Sequence, residues 1–227
     1  MSTPIDVDRV WRGVAAQVWR RQPSAVERLA ARLLRSPGLA RALVTTPSLL
    51  VAWLIATVVI IAVGAAATAG TGTPYLALCA PAVAGAGIAY AYGPGIDPAW
   101  ELSRSMAVSD RTVLLARALA VFGFNALLGV AGSLAASAVV PLTVGWLLPM
   151  TAVCAVALGV ATLTHSANAG VAAGLGGWAI TVIAGWAAAG SVTAATTNNG
   201  LMMLYACLAA IGVAAIWLGT RIPGAIT

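Results

Sequence analysis

From Ser48 to Gly70 the chain reads SLLVAWLIATVVIIAVGAAATAG, without a single charged residue. As a helix this stretch would be about 35 Å long, enough to cross a hydrocarbon core of about 30 Å. Its apolar character is uniform. A membrane barrel strand would instead alternate polar and apolar residues over about ten positions, so a helix is the expected conformation.

Five further charge-free runs follow: Pro74–Tyr92, Ala118–Ala138, Leu142–Leu163, Ala169–Gly190 and Leu201–Thr220. The second and third of these form one apolar stretch, divided near Val139-Val140-Pro141 because an undivided helix would be twice a bilayer in length. Hydrophobic residues make up 61% of the 227, against roughly 45–50% in soluble domains, and only 8% are charged. The expected fold is therefore an all-α integral membrane protein of six transmembrane helices. Residues 1–47 form a cytoplasmic or interfacial region, 48–220 the membrane domain and 221–227 a short tail.

The charges set the expected orientation. All twelve basic residues are Arg, and they fall in three groups: Arg9 to Arg41, then Arg104, Arg111 and Arg117, then Arg221. With six spans all three groups share one side, while Thr71–Thr73, Val139–Pro141 and Ser191–Gly200 on the other side carry no charge. The positive-inside rule then places both termini in the cytoplasm, in a multi-pass protein of the inner or cytoplasmic membrane. The first long apolar run starts only near Ser48, which does not resemble a cleavable signal peptide.

Residues 1–47 carry a net charge of +5 and contribute most of the overall +6. Val7, Val10, Trp11, Val14 and Val18 recur at helical spacing, with Asp6 and Asp8 before them and Arg20 and Arg21 after. A second amphipathic helix follows Pro23. Ser24 and Glu27 make a capping-box pattern, Val26, Leu29, Ala30, Leu33 and Leu34 oppose Arg28, Arg32 and Arg35, and Pro37-Gly38 ends it. Arg9, Arg12, Arg20, Arg21, Arg28, Arg32 and Arg35 are thus the expected membrane-surface residues, facing anionic headgroups. The alternative is contact with a cytoplasmic partner. Lipid accounts for the high pI of about 10, and no nucleic-acid role is expected.

Residues 93–117, GPGIDPAWELSRSMAVSDRTVLLAR, differ from this lipid-facing pattern. Arg104, Arg111 and Arg117 balance Asp97, Glu101 and Asp110. Asp97 before Pro98 is an N-cap with proline at the first helical position, so a short helix is expected from Pro98 to about Met106, with Ala99, Leu102, Ser103 and Met106 on one face and Trp100 beside it. Ser109 with Asp110 then caps a new helix that carries Arg111 and Arg117 into the membrane. A linker needs no caps.

The pattern Asp97, Glu101, Leu102, Ser109, Arg111, Leu114, Leu115, Arg117, between the second and third of six spans, resembles the coupling-helix region of ABC exporter permeases of the type-2 class. Many relatives have proline where this chain has Ala107-Val108-Ser109. The resemblance extends to the six-span plan and the amphipathic N-terminal helix. It implies a transport subunit whose coupling helix sits in a groove on a separate ATP-binding chain, two permeases assembling with two ATPases. Asp97, Trp100, Glu101, Leu102, Arg104, Met106, Ser109 and Arg111 would carry the coupling contact. The second permease would be another copy or a similar chain. The chain has no Lys, so it holds no Walker Gly-x-x-x-x-Gly-Lys loop, and ATP with magnesium is expected only on the partner.

Other residues have local readings. Asn125 is the one amide well inside an apolar run, and either a helix-to-helix hydrogen bond or a place in the translocation path would account for it. Pro149 is expected to kink its span, which could serve a gate. His165 reads as a turn residue, with no Cys or carboxylate near it in sequence to make a metal site. Cys79, Cys154 and Cys207 fall in three different spans and read as packing residues. Gly170 and Gly174 form a small-xxx-small pair suited to close helix contact or to a dimer seam. Two other function classes stand beside transport. A non-transporting membrane scaffold or regulator shares the composition, and an intramembrane enzyme is disfavoured because Gly132-Ser133 lacks a protease nucleophile pattern and every acid lies within Asp6–Glu27 or Asp97–Asp110. The near absence of ionisable groups in the spans favours an apolar or amphipathic cargo.

Overall fold

The computed structural model describes residue 8 and residues 25–35, 47–92, 110–136 and 145–220. The chain divides into two compact units, Met1–Val44 and Thr45–Thr227. In the first, α1 spans Ala25–Leu34, with Glu27 in its first turn and Arg32 in its last, the arrangement the helix dipole favours. Arg28, Leu29, Arg32 and Arg35 are exposed, and Arg35 leaves the helix with φ of 49°. The expected capping residue Ser24 and the whole of the first amphipathic helix except Asp8 lie outside the described residues.

The second unit is helical throughout its described residues. Its helices are α2 (Pro47–Thr71), α3 (Tyr75–Tyr90), α4 (Asp110–Ala136), α5 (Leu147–Thr164), α6 (Ala167–Ala189), the single turn α7 (Ala194–Thr197) and α8 (Asn199–Gly219). Five of these, α2, α4, α5, α6 and α8, are long and apolar enough to cross a membrane, so this is a multi-pass membrane protein. The sixth apolar helix, α3, has 16 residues, about 24 Å, and is shorter than the expected run Pro74–Tyr92.

Pairs of touching residues fix the helix directions. Trp53 meets Phe124, and Ile61 lies against Gly132, so α2 and α4 run parallel. Gly87 faces Trp53 while Leu76 faces Gly64, so α3 runs opposite to α2. On α5, Ala157 and Ala161 meet Gly174 and Gly170 of the antiparallel α6, and Ala155 and Thr162 meet Gly212 and Gly219 of the parallel α8. Direction thus alternates along the chain through α2, α3, α4, α5, α6 and α8. Within this unit the charged residues among those described, Asp110, Arg111 and Arg117, all occupy the first two turns of α4.

Helix α5 is central. It packs on α3, α6 and α8, and 61% of its span is buried, against 11% for α6 and for α8. The outer helices turn large apolar side chains outward, among them Ile55, Val63, Leu119, Leu127, Ile180, Ile183, Ile211 and Trp217. In water such a surface would drive aggregation, whereas in lipid it is the matched exterior.

The central seam depends on small side chains. A methyl group added to Gly170 would overlap Ala157 O, and one on Gly212 would sit 2.5 Å from the Ala155 carbonyl carbon. Only glycine lets these backbones come so close. The Gly170/Gly174 pair is therefore occupied by a contact within the chain. Pro149 is the third residue of α5, in the first turn, where no intrahelical N–H bond is lost, so the reason to expect a kink there is absent.

Candidate functional site

Of the residues expected to couple to an ATPase, Asp97, Trp100, Glu101, Leu102, Arg104, Met106 and Ser109 lie outside the described residues. Arg111 is described. It is exposed at the second position of α4, and Arg117 is half-buried at the eighth. The end of the bundle that carries these arginines also holds a tie between two helices. Tyr92, just past α3, approaches His165, just past α5, with 2.6 Å between Tyr92 Oη and His165 Nδ1. With the imidazole proton on Nε2, the phenol donates. His165 takes the left-handed conformation, φ 54°, and closes α5 through its N–H to Ala161 O. It remains a turn residue with a specific partner, and no group of His, Cys, Asp and Glu suited to a metal occurs among the described residues. Cys79, Cys154 and Cys207 are free thiols.

The bundle interior holds a second constellation. Asn125 is completely buried, and its Nδ2 donates to Val121 O of its own helix at 2.8 Å, so neither arm bonds across to another helix. Its Oδ1 has no partner. Among the described residues three more buried side-chain atoms share that condition: Trp53 Nε1, Thr57 Oγ1 and Trp146 Nε1. Thr57 is 1% exposed and Trp146 2%.

Their residues are brought near one another, within about two helical turns along α4, in the same half of the bundle. The parallel register of α2 and α4, fixed by Trp53 with Phe124 and Ile61 with Gly132, puts Thr57 level with the Asn125–Gly129 turn. Trp146, the residue before α5, lays its ring on Gly129. Trp53 presents Nε1 to Gly87 of α3, where an added methyl group would sit 2.5 Å away. Glycines at 87 and 129 are thus the cradles that admit the two indoles. From Arg117, Asn125 and Gly129 are about 12 and 18 Å further along α4. Both positions lie well inside the apolar part of α4.

The lack of partners is not a general property of such residues in this chain. Thr68 and Thr151 bond the carbonyl four residues back, Gly64 O and Leu147 O, and Thr162 and Thr181 bond the one three back, Gly159 O and Trp178 O. Thr57 does not. Trp178 Nε1 donates to Leu78 O of α3 at 2.9 Å. Tyr205 donates to Ala195 O at 2.7 Å, anchoring α7 to α8. Sequence reading singled out Asn125 as the one amide; Trp53, Thr57 and Trp146 carry no such signal, since Trp and Thr are unremarked in apolar runs. Pro149, the other residue expected near a path, is buried one turn from Trp146 in the wall of the same half. Comparisons with protein-family models, with curated proteins and with solved structures find no match to this chain.

Proposed function

We propose that this chain is the membrane-spanning permease subunit of an ATP-driven ABC exporter of the type-2 class. It couples through residues 93–117 to a separate ATPase chain and moves an apolar or amphipathic substrate. The observation that carries the reading is the capped, charge-balanced segment Asp97–Arg117 between two apolar helices. Two features of the fold support it. The six apolar helices alternate in direction, so α3, short as it is, can serve as a sixth crossing with its flanking residues. In the membrane unit the described charges cluster at one end, which suits a cytoplasmic face with both termini on it. The assembly proposed is two permeases, alike or similar, with two ATPases that bind the ATP and magnesium.

The test begins with co-purification. Expressed with its genomic neighbours, the chain should hold an ATPase in detergent. Reversing both charges, Glu101→Arg with Arg104→Glu, should leave membrane insertion intact and remove ATPase association or transport-linked hydrolysis, because charge-assisted contacts in a partly buried groove contribute about 1–3 kcal/mol each. Replacing Arg28 and Arg32 should weaken lipid contact and leave coupling unchanged. Wild-type association in the charge-reversed chain would leave a scaffold without transport as the better reading. Orientation is checked separately by cysteine labelling at Ser191, which should react from outside the cell.

A further inference from the structure

The four buried atoms without partners are not a random set. Trp53 Nε1 and Trp146 Nε1 can only donate, Asn125 Oδ1 can only accept, and Thr57 Oγ1 can do either. Buried in an apolar bundle, each such group left alone would cost a substantial part of a hydrogen bond. Thr57 has the ordinary escape of bonding its own helix one turn back, as Thr68, Thr151, Thr162, Thr181 and other threonines of the bundle do, and does not take it. Groups held in this way are expected to face something that answers them.

We infer that Trp53, Thr57, Asn125 and Trp146 form an internal binding site, inside the bundle between α2, α3, α4 and the start of α5, for hydroxyl-type oxygen. Such an oxygen accepts from the indole N–H groups through its lone pairs and donates its own proton to Asn125 Oδ1. Thr57 completes the set from either side. An anion would match the indoles and repel the amide oxygen, and a cation would do the reverse. Either would also lie uncompensated, since the charged residues described in this unit stop at Arg117, about 12 Å away along α4. The chemistry is neutral and both accepting and donating. Water supplies it, and so does the alcohol group of an otherwise apolar molecule that reaches the site through the bundle. The site does not depend on the permease reading, because it rests on the interior and not on residues 93–117.

The experiment uses the full chain in nanodiscs, with indole nitrogens labelled and the Trp53 and Trp146 signals assigned through Trp53→Phe and Trp146→Phe. If water is the occupant, both indole N–H groups show cross-peaks to water, and adding 1-decanol leaves their shifts unchanged. If an alcohol is the occupant, 1-decanol shifts both signals saturably and n-decane does not. Either pattern establishes the site. Thermal unfolding gives an independent arm through the near-isosteric Thr57→Val and the bulkier Asn125→Leu. A served site loses a partner and the melting temperature falls by about 2–4 °C, whereas truly unserved polar atoms replaced by apolar ones leave it unchanged or raised. If Asn125→Leu fails to fold, Thr57→Val carries the comparison. Indoles that show neither water cross-peaks nor a decanol shift, together with an equal or higher melting temperature for Thr57→Val, would overturn the proposal.

Discussion

Helix α5 faces two neighbourhoods built from different materials. Toward α6 and α8 it meets glycine and alanine at backbone distance: Gly170 and Gly174 on one helix, Gly212 and Gly219 on the other. The polar groups on that side are answered, Tyr205 by Ala195 O and Thr162 by Gly159 O. On its other side α5 meets α3, where Val153 fills the space at Gly85, and beyond that contact α2, α3, α4 and Trp146 pack through indoles, an amide and a hydroxyl, four of whose polar atoms have no partner. One side is closed mainly by close backbone packing, with its polar groups hydrogen-bonded. The other retains polar groups in the place where they cost most. A bundle needing only stability would use the first solution throughout, so the second marks the half to be tested for function.

The largest test of that contrast is Gly212→Leu. Its first added carbon would meet the Ala155 carbonyl carbon and oxygen at 2.5 and 2.6 Å, and a backbone cannot turn aside as a side chain can. The expected loss is about 3 kcal/mol, at the upper end for overpacking. Reversible unfolding in mixed detergent micelles should show it, and an unaltered midpoint would mean the seam is looser than these contacts require.

Trp178→Phe should come next. It removes the indole bond from α6 to Leu78 O of α3, for a loss of about 1 kcal/mol. Trp186→Phe, on an exposed side chain of the same helix, is the comparison and should leave the midpoint where it is. Equal effects from the two would sever the tie between α3 and α6 that the indole bond represents.

On the polar side the parallel substitution should be gentler. Gly87→Ala brings its methyl carbon within 2.5 Å of Trp53 Nε1, but what it meets is an indole that can rotate. A loss of about 1 kcal/mol is expected, with a change in Trp53 fluorescence in a background where the other tryptophans are phenylalanine. A loss as large as that of Gly212→Leu would erase the distinction between the two sides. The smallest effect has the opposite sign. Gly177 is exposed and has open space where a methyl group would go, so Gly177→Ala should be neutral or stabilise by about 0.5 kcal/mol, measured by the same unfolding assay.

Much of the architecture was legible in the residues themselves. The run Ser48–Gly70 predicts α2, and the runs starting near Ala169 and Leu201 predict α6 and α8 to within a few residues. Asp110 as the start of α4 follows from the Ser109-Asp110 cap pattern. The candidate coupling segment is legible in sequence only, through its caps and charges. The interior constellation was legible at a single residue. Asn125 stands out as an amide, while the environment of Trp53, Thr57 and Trp146 comes from three other helices and has no local signature.

What the amino-acid sequence determined by itself was the solvent and the number of elements. Long charge-free runs cannot stay in water, and a backbone in lipid must bond to itself, so such runs become helices whatever their neighbours do. Arginine placement likewise distinguishes one end of the unit from the other. What only the tertiary structure decided was which helices lie inside. In a soluble protein the buried face is written as a periodic contrast between polar and apolar residues, but lipid is as apolar as a core, and that contrast vanishes. Helix α5 is no more apolar than α8, yet one is the centre and the other the rim. Burial here follows from backbone approach at Gly170, Gly174 and Gly212, and the residues of the four unanswered polar atoms come near one another only through the packing of α2, α3, α4 and the start of α5.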